Sequence, residues 1–277
     1  MNSYPPSRGY PPADYAGDNP VLRAALGCAG QGWPVFPCHR DSRSPVGRYG
    51  RYDASTDPDQ IREWFAGHPG RNLAVATGAP GPDVLSVGSA GPDAAGYSAL
   101  SRLQLAGLLT GGFAYVKTPG GGLHVYFTGT RQRSDRLPDC QIGLLAVGGA
   151  VLAPPSQAGG QPYEGINMPG PRGPLDWEAA AQVLEPGRRT SRPAEWGDAG
   201  RLAGWLSAQR GGDLIDRLSW AAGEVLETNK TADLAPLADA ARQAGLGEPA
   251  IQRALDTARR PYEACIEPPD HQAEGGS

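Results

Sequence analysis

Few residues in this chain stand at spacings that do chemistry unaided. His124 follows Pro119-Gly120-Gly121-Gly122 on an apolar run, and by residue chemistry alone it reads as a half-buried strand histidine beyond a hairpin turn. Arg43 precedes Ser44-Pro45 in a polar loop, where an arginine is by default solvated. Cys28, Cys38 and Cys140, even with His39, fit no common zinc-ligand spacing and read as free cysteines. Ser86 has no recognisable His and acid partners, which leaves a hydrolase without support. Trp64 and Phe65 are able to stack on bases, but on an amphipathic helix they read first as core.

The elements that must position these residues follow from period and punctuation. Asp18-Asn19-Pro20 supplies a cap and a first-turn proline for a helix carrying Val21, Leu22, Ala25 and Leu26, ending at Gly30-Gln31-Gly32. Trp33 to Pro37 is a short strand, and a loop bearing Arg40, Arg43, Arg48 and Arg51 leads to a second helix opened by Thr56-Asp57-Pro58. The apolar runs 72–77 and 83–87, separated by Gly78-Ala79-Pro80-Gly81-Pro82, read as two strands of one sheet. A helix over 97–109, a strand pair 113–118 and 123–128, and short strands at 141–145 and 150–153 complete a mixed pattern that favours an α/β or α+β domain. A short helix is expected at 177–184, a Pro/Gly/Arg-rich linker over 185–211, and helices over 214–226, 234–244 and 248–259.

Composition narrows the function classes. With 277 residues the chain has room for one sizeable domain and a small accessory one. A net charge of -4 argues against bulk electrostatic coating of nucleic acid, although a local basic groove is compatible with it. Lys117 and Lys230 are the only lysines, and the arginine, alanine and glycine bias suggests a GC-rich genome. No secretory leader, CxxC pair or apolar run approaching roughly 18 residues is present, so the expectation is a cytoplasmic bacterial protein without a membrane partner.

Four segments, taken together, carry a resemblance: Gly32-Trp33-Pro34-Val35-Phe36-Pro37, Asn72-Leu73-Ala74-Val75-Ala76-Thr77-Gly78, Thr118 to Phe127, and Gly148-Gly149-Ala150-Val151-Leu152-Ala153-Pro154-Pro155-Ser156. Their order and spacing over residues 20–165 resemble the N-terminal domain of bifunctional DNA primase-polymerases, of the archaeo-eukaryotic primase superfamily, as found in plasmids, phages and actinobacterial genomes. The helical segment from 212 also resembles the region C-terminal to that domain in actinobacterial members. The resemblance implies a two-layer primase-polymerase fold over 18–184, preceded by a disordered arm (1–17) and followed by the linker, a helical appendage (212–260) and a tail (261–277).

It also implies a chemistry. Such polymerases use two divalent cations, Mg²⁺ or Mn²⁺, which demand carboxylate oxygens. The family places two acids at alternate positions of one strand and a third on a later strand; here those positions hold Ser86, Gly88 and Gly143, with Leu145 where an arginine is usual. Asp83 and Asp93 are the acids available as substitutes, and Asp83, three positions before Ser86, is expected on the opposite strand face. The nucleotide side is kept: by resemblance His124 reaches the phosphates, the turn with Thr118, Gly121 and Gly122 lets the backbone approach them, and Arg43 stands where a basic residue is common, while Gly120 replaces a serine. The expectation is a degenerate protein of DNA replication type that needs no metal cofactor and binds a nucleoside triphosphate or single-stranded DNA. The rivals are an active enzyme using substitute ligands and a scaffold for an unidentified protein partner.

Overall fold

The structure, a computed structural model, describes residues 19–89, 95–167, 170–188, 198–209 and 214–263. The arm expected over 1–17, Asp93 and the tail beyond 263 lie outside them. The chain divides into two compact units, Met1–Arg192 and Pro193–Ser277.

In the first unit Asn19 caps α1 (Pro20–Ala29), its side-chain oxygen accepting the Leu22 N–H at 3.0 Å, with Pro20 in the position that needs no donor. There follow β1 (Val35–Cys38), a 3-10 turn at Gly50–Asp53 and α2 (Pro58–Phe65), capped by Asp57. The order continues with β2 (Asn72–Ala76), β3 (Asp83–Val87), α3 (Ala95–Leu105), β4 (Ala114–Lys117) and β5 (Leu123–Phe127). Then come β6 (Asp135–Leu137), β7 (Ile142–Leu145), β8 (Ala150–Ala153), the two-residue β9 (Gln157–Ala158) and β10 (Gln161–Pro162), β11 (Glu164–Asn167) and α4 (Trp177–Leu184). Helices and antiparallel sheets make this an α+β fold, as expected.

The strands form a small sheet, β1-β2-β8, a β10-β9 ribbon, and a six-stranded sheet in the order β11-β4-β5-β3-β7-β6. The runs 72–77 and 83–87 therefore belong to different sheets, not to one. The residues between them explain it: Pro80 and Pro82 have no N–H to give a ladder, and the donors that remain are used elsewhere. The Gly78 N–H goes to the Pro82 carbonyl and the Ala79 N–H to that of Thr130, both at 2.9 Å.

The alternation of β3 assigns each of its side chains to one of two cores. Leu85 and Val87 pack with Val125, Phe127, Leu137, Ile142 and Leu144 against Ala99 and Leu103 of α3 and Trp177, Ala180 and Leu184 of α4. Val84 packs on the other side, with Ala114, Val116 and Tyr126, into the core that holds the small sheet, α1 and α2. Ile61 and Phe65 are fully buried there and Trp64 packs against them, so the aromatic face of α2 is core.

The second unit comprises α5 (Ala199–Ser207), α6 (Leu214–Thr228), α7 (Ala235–Gln243) and α8 (Glu248–Glu263). α5 lies inside the stretch expected to be linker; Asp198 caps it and Leu202 and Leu206 are buried, so its composition concealed a two-turn apolar stripe. α8 runs three residues past the expected boundary at 260. Trp205 meets Trp220 edge to face at 5.2 Å between ring centroids. No described helix is long and apolar enough to cross a membrane.

Candidate functional site

β3 lies in the interior of the large sheet, and its pairing brings the decisive residues into one line. Ser86 stands opposite His124 of β5 and opposite Gly143 of β7. His124 in turn opposes Val116 of β4, and Gly143 opposes Arg136 of β6. Directly opposed residues share a face, so Val116, His124, Ser86, Gly143 and Arg136 form a row on one side of the sheet. Gly88, two residues past Ser86, keeps to that side, its N–H donating to the Gln141 carbonyl at 2.8 Å.

At the Ser86–Gly143 end of the row lies a cavity of about 580 Å³ whose lining includes Ser86, Gly88, Gly143, Arg136, Gln141 and Arg43. Arg43 belongs to the loop after β1 and donates from Nη2 to the Tyr163 hydroxyl at 3.4 Å. The Tyr163 ring lies 6.2 Å from that of His124. The histidine is 7 % exposed and its Nδ1 has no hydrogen-bond partner among the described residues. Burial, and then the Arg43 cation, push its pKa down to about 4, so it is a neutral imidazole at pH 7.

The glycine turn is a closed hairpin connection. The Thr118 N–H donates to the Gly122 carbonyl and the Gly121 N–H to the Thr118 carbonyl, each at 2.9 Å. The Tyr97 hydroxyl donates to the Gly121 carbonyl at 2.7 Å and that of Ser89 to the Gly120 carbonyl at 2.5 Å. Gly121 has φ +79°, and a Cβ on Gly122 would stand 2.4 Å from the Val87 carbonyl oxygen, so the turn requires glycine at both positions. The cavity lining does not include Thr118, Gly121 or Gly122. Arg43 and the Ser86–Gly88–Gly143 patch are thus brought together, His124 shares the row of Ser86 and Gly143, and the turn packs on the end of β3 without lining the cavity.

The acids near the patch are occupied elsewhere. Asp83 is on the opposite face, fully buried, with Oδ2 accepting from the Thr130 hydroxyl at 2.6 Å and Oδ1 without a hydrogen bond among the described residues. Burial pushes its pKa up to about 6 against the Thr130 bond that lowers it. Asp135 borders the cavity, but its carboxylate accepts from Trp177 Nε1 at 2.8 Å and pairs with Arg188 at 2.9 Å. Those bonds, against a larger opposing effect of burial, hold its pKa below the usual value. Ser86, Gly88 and Gly143 offer one hydroxyl and two hydrogens, and no group of three His, Cys, Asp or Glu able to hold a metal ion occurs among the described residues. This donor set does not suit a pair of hard divalent cations.

Residues 25–180, more than half of the chain, match the family of bifunctional DNA primase/polymerase N-terminal domains, Prim-Pol. The chain belongs to that family. No curated protein matches it. Within this Prim-Pol domain the large sheet, the Gly-turn hairpin and the small sheet account for all four segments that carried the resemblance. The family ties the chain to nucleotide and DNA chemistry. Two site residues escaped the sequence reading. Arg136 sits in a three-residue strand, too short to show alternation, and only the β6–β7 register reveals its place opposite Gly143. Tyr163 is a lone aromatic between two short strands, with nothing in its neighbourhood to mark it.

Proposed function

We propose that this Prim-Pol domain has lost metal-dependent nucleotidyl transfer and keeps a role as a binder of nucleotide or single-stranded DNA. One observation carries the reading: the three positions that should hold the metal carboxylates converge on a single patch, and none of them supplies a carboxylate. Substitute ligation is disfavoured by geometry, since Asp83 faces the other core and Asp135 is bound to Trp177 and Arg188. Binding is supported by the cavity beside the row and by the arginines on its rim. The α5–α8 unit is read as the appendage of this domain.

Primer synthesis and primer extension on single-stranded template, with Mg²⁺ or Mn²⁺, test the first half: no product is expected. Product that co-purifies with the chain and disappears in Asp83→Ala or Asp135→Ala would overturn the reading. Titration with a nucleoside triphosphate and with single-stranded DNA in chelator tests the second half, and absence of both interactions would leave only the scaffold reading. His124 is neutral at pH 7, so its contribution to binding there is that of a neutral imidazole, and any gain from its protonation is confined to acid pH.

A further inference from the structure

The patch emptied of carboxylates is rimmed by positive charge. Arg136 lies directly across from Gly143, and its Cβ is 4.0 Å from the point a Gly143 side chain would occupy. Arg43 borders the same cavity from the loop after β1. Both are exposed, and neither pairs with an acid among the described residues. Between them Ser86 is half-buried and its hydroxyl makes no hydrogen bond within the described residues. The carboxylate that borders the cavity, Asp135, is neutralised by Arg188. A cavity built this way offers the Arg136 guanidinium, the Arg43 guanidinium with one nitrogen on Tyr163, one hydroxyl, and glycine positions at its base.

Removal of acids from a two-metal centre leaves a neutral surface, and two cations on the lining of one cavity make it attractive to the kind of ion that bound metals would otherwise have had to neutralise. We infer that the former metal floor is itself an anion site, in which a polyphosphate rests on Ser86 and Gly143 between Arg43 and Arg136 and binds without a divalent cation. Guanidinium forks match phosphate oxygens two at a time, and the Ser86 hydroxyl donates to a third. This deepens the proposed binding role, and rests on it, by assigning the phosphate to the floor and not to the glycine turn, whose Gly121 N–H is already bonded to Thr118.

Calorimetric titration of the full chain with inorganic tripolyphosphate in EDTA tests the site. One-to-one binding is expected, weakened about tenfold or more by Arg136→Gln and by Arg43→Gln. Ser86→Asp, which returns a negative charge to the floor, should abolish it. Arg136→Lys should fall between wild type and Arg136→Gln, because it keeps the charge without the fork. Both arginines are exposed, so unchanged melting temperatures are expected for their variants and tie any loss to the site. No binding by wild type, or equal binding by wild type and both glutamine variants, would overturn the inference. A nucleoside triphosphate run in parallel separates the sources: tighter binding than tripolyphosphate assigns the anion to a nucleotide, equal binding to a free polyphosphate, and either supports the floor site. Metal-dependent synthesis would sink the proposed loss of catalysis whatever tripolyphosphate does, whereas a silent titration with no synthesis sinks the floor site alone.

Discussion

The two faces of β3 have been treated in opposite ways. On the helix-covered face Asp83 keeps a carboxylate in full burial, with one oxygen bonded to Thr130 and the other without a hydrogen bond among the described residues. On the cavity face, where a carboxylate would border the cavity, stand Ser86 and Gly88. The strand therefore carries a carboxylate where it is expensive and none where it would border the cavity. Burial of an under-bonded carboxylate destabilises the native state, while a carboxylate at the cavity is destabilising only through its neighbours. The contrast suggests that packing and hydrogen bonding around Thr130 hold Asp83 in place, and that nothing in the fold requires acids on the other side.

Restoring the acids breaks the contrast most sharply. Ser86→Asp with Gly143→Asp puts two carboxylates on directly opposed positions of β3 and β7. Their mutual repulsion should lower the melting temperature in chelator, and Mn²⁺ should restore it, by about 2.7 kcal/mol at a hundredfold excess over Kd. Wild type should show no Mn²⁺-dependent shift. Thermal melts with and without Mn²⁺ read both outcomes, and an equal Mn²⁺ shift in wild type would mean that metal binds somewhere other than this patch.

The next effect comes from His124 and Asp83, two buried titratable groups on opposite faces of the large sheet. The folded-state pKa of His124, at about 4, lies below its ordinary 6.5, so the unfolded chain binds the proton first and stability falls as pH drops from 6.5 to 4. That of Asp83, at about 6, lies above its ordinary 3.8, so the native state binds the proton first and stability rises as pH drops from 6 to 3.8. Each slope is about 1.4 kcal/mol per pH unit, and over most of this window they oppose one another. Denaturant titrations should give a nearly flat profile for wild type between pH 4 and 6. Asp83→Asn should be more stable than wild type at pH 7, by about 1–3 kcal/mol, and should lose stability as pH falls. His124→Phe should gain stability as pH falls through the same range. Profiles for the two variants that slope in the same direction would contradict the assignment.

The sequence made the strands and caps of this domain readable where local chemistry decides them. Asn19-Pro20 and Asp57-Pro58 open α1 and α2, and the glycine turn joins β4 to β5. It did not reveal that β2 and β3 lie in different sheets, because a turn with two prolines looks alike whether the chain returns to its own sheet or leaves it. The absence of acids was readable from the positions of Ser86, Gly88 and Gly143 within the resemblance, yet their convergence with Arg136 depends on long-range register that no local pattern encodes. The neutrality of His124 and the raised pKa of Asp83 are likewise consequences of burial, invisible until both cores are assembled.

The smallest predicted effect decides whether the empty floor is a packing requirement. A Cβ added at Gly143 would stand 3.3 Å from the Asp135 carbonyl oxygen and 4.0 Å from Arg136 Cβ, with nothing closer. Gly143 lacks the positive φ that would bar a side chain, and alanine lowers the entropy of the unfolded chain. These contributions oppose the slightly tight contact, so Gly143→Ala should alter stability by less than about 1 kcal/mol. Gly122→Ala is the control, since its Cβ would overlap the Val87 carbonyl oxygen at 2.4 Å and should destabilise by several times as much, on the order of 3 kcal/mol. If Gly143→Ala proved as damaging as Gly122→Ala, glycine at 143 would be a demand of the sheet, and the missing acid there would say nothing about catalysis. A near-neutral result leaves the position open to a side chain, and the absence of a carboxylate then belongs to function, on the one face of β3 where function would have placed it.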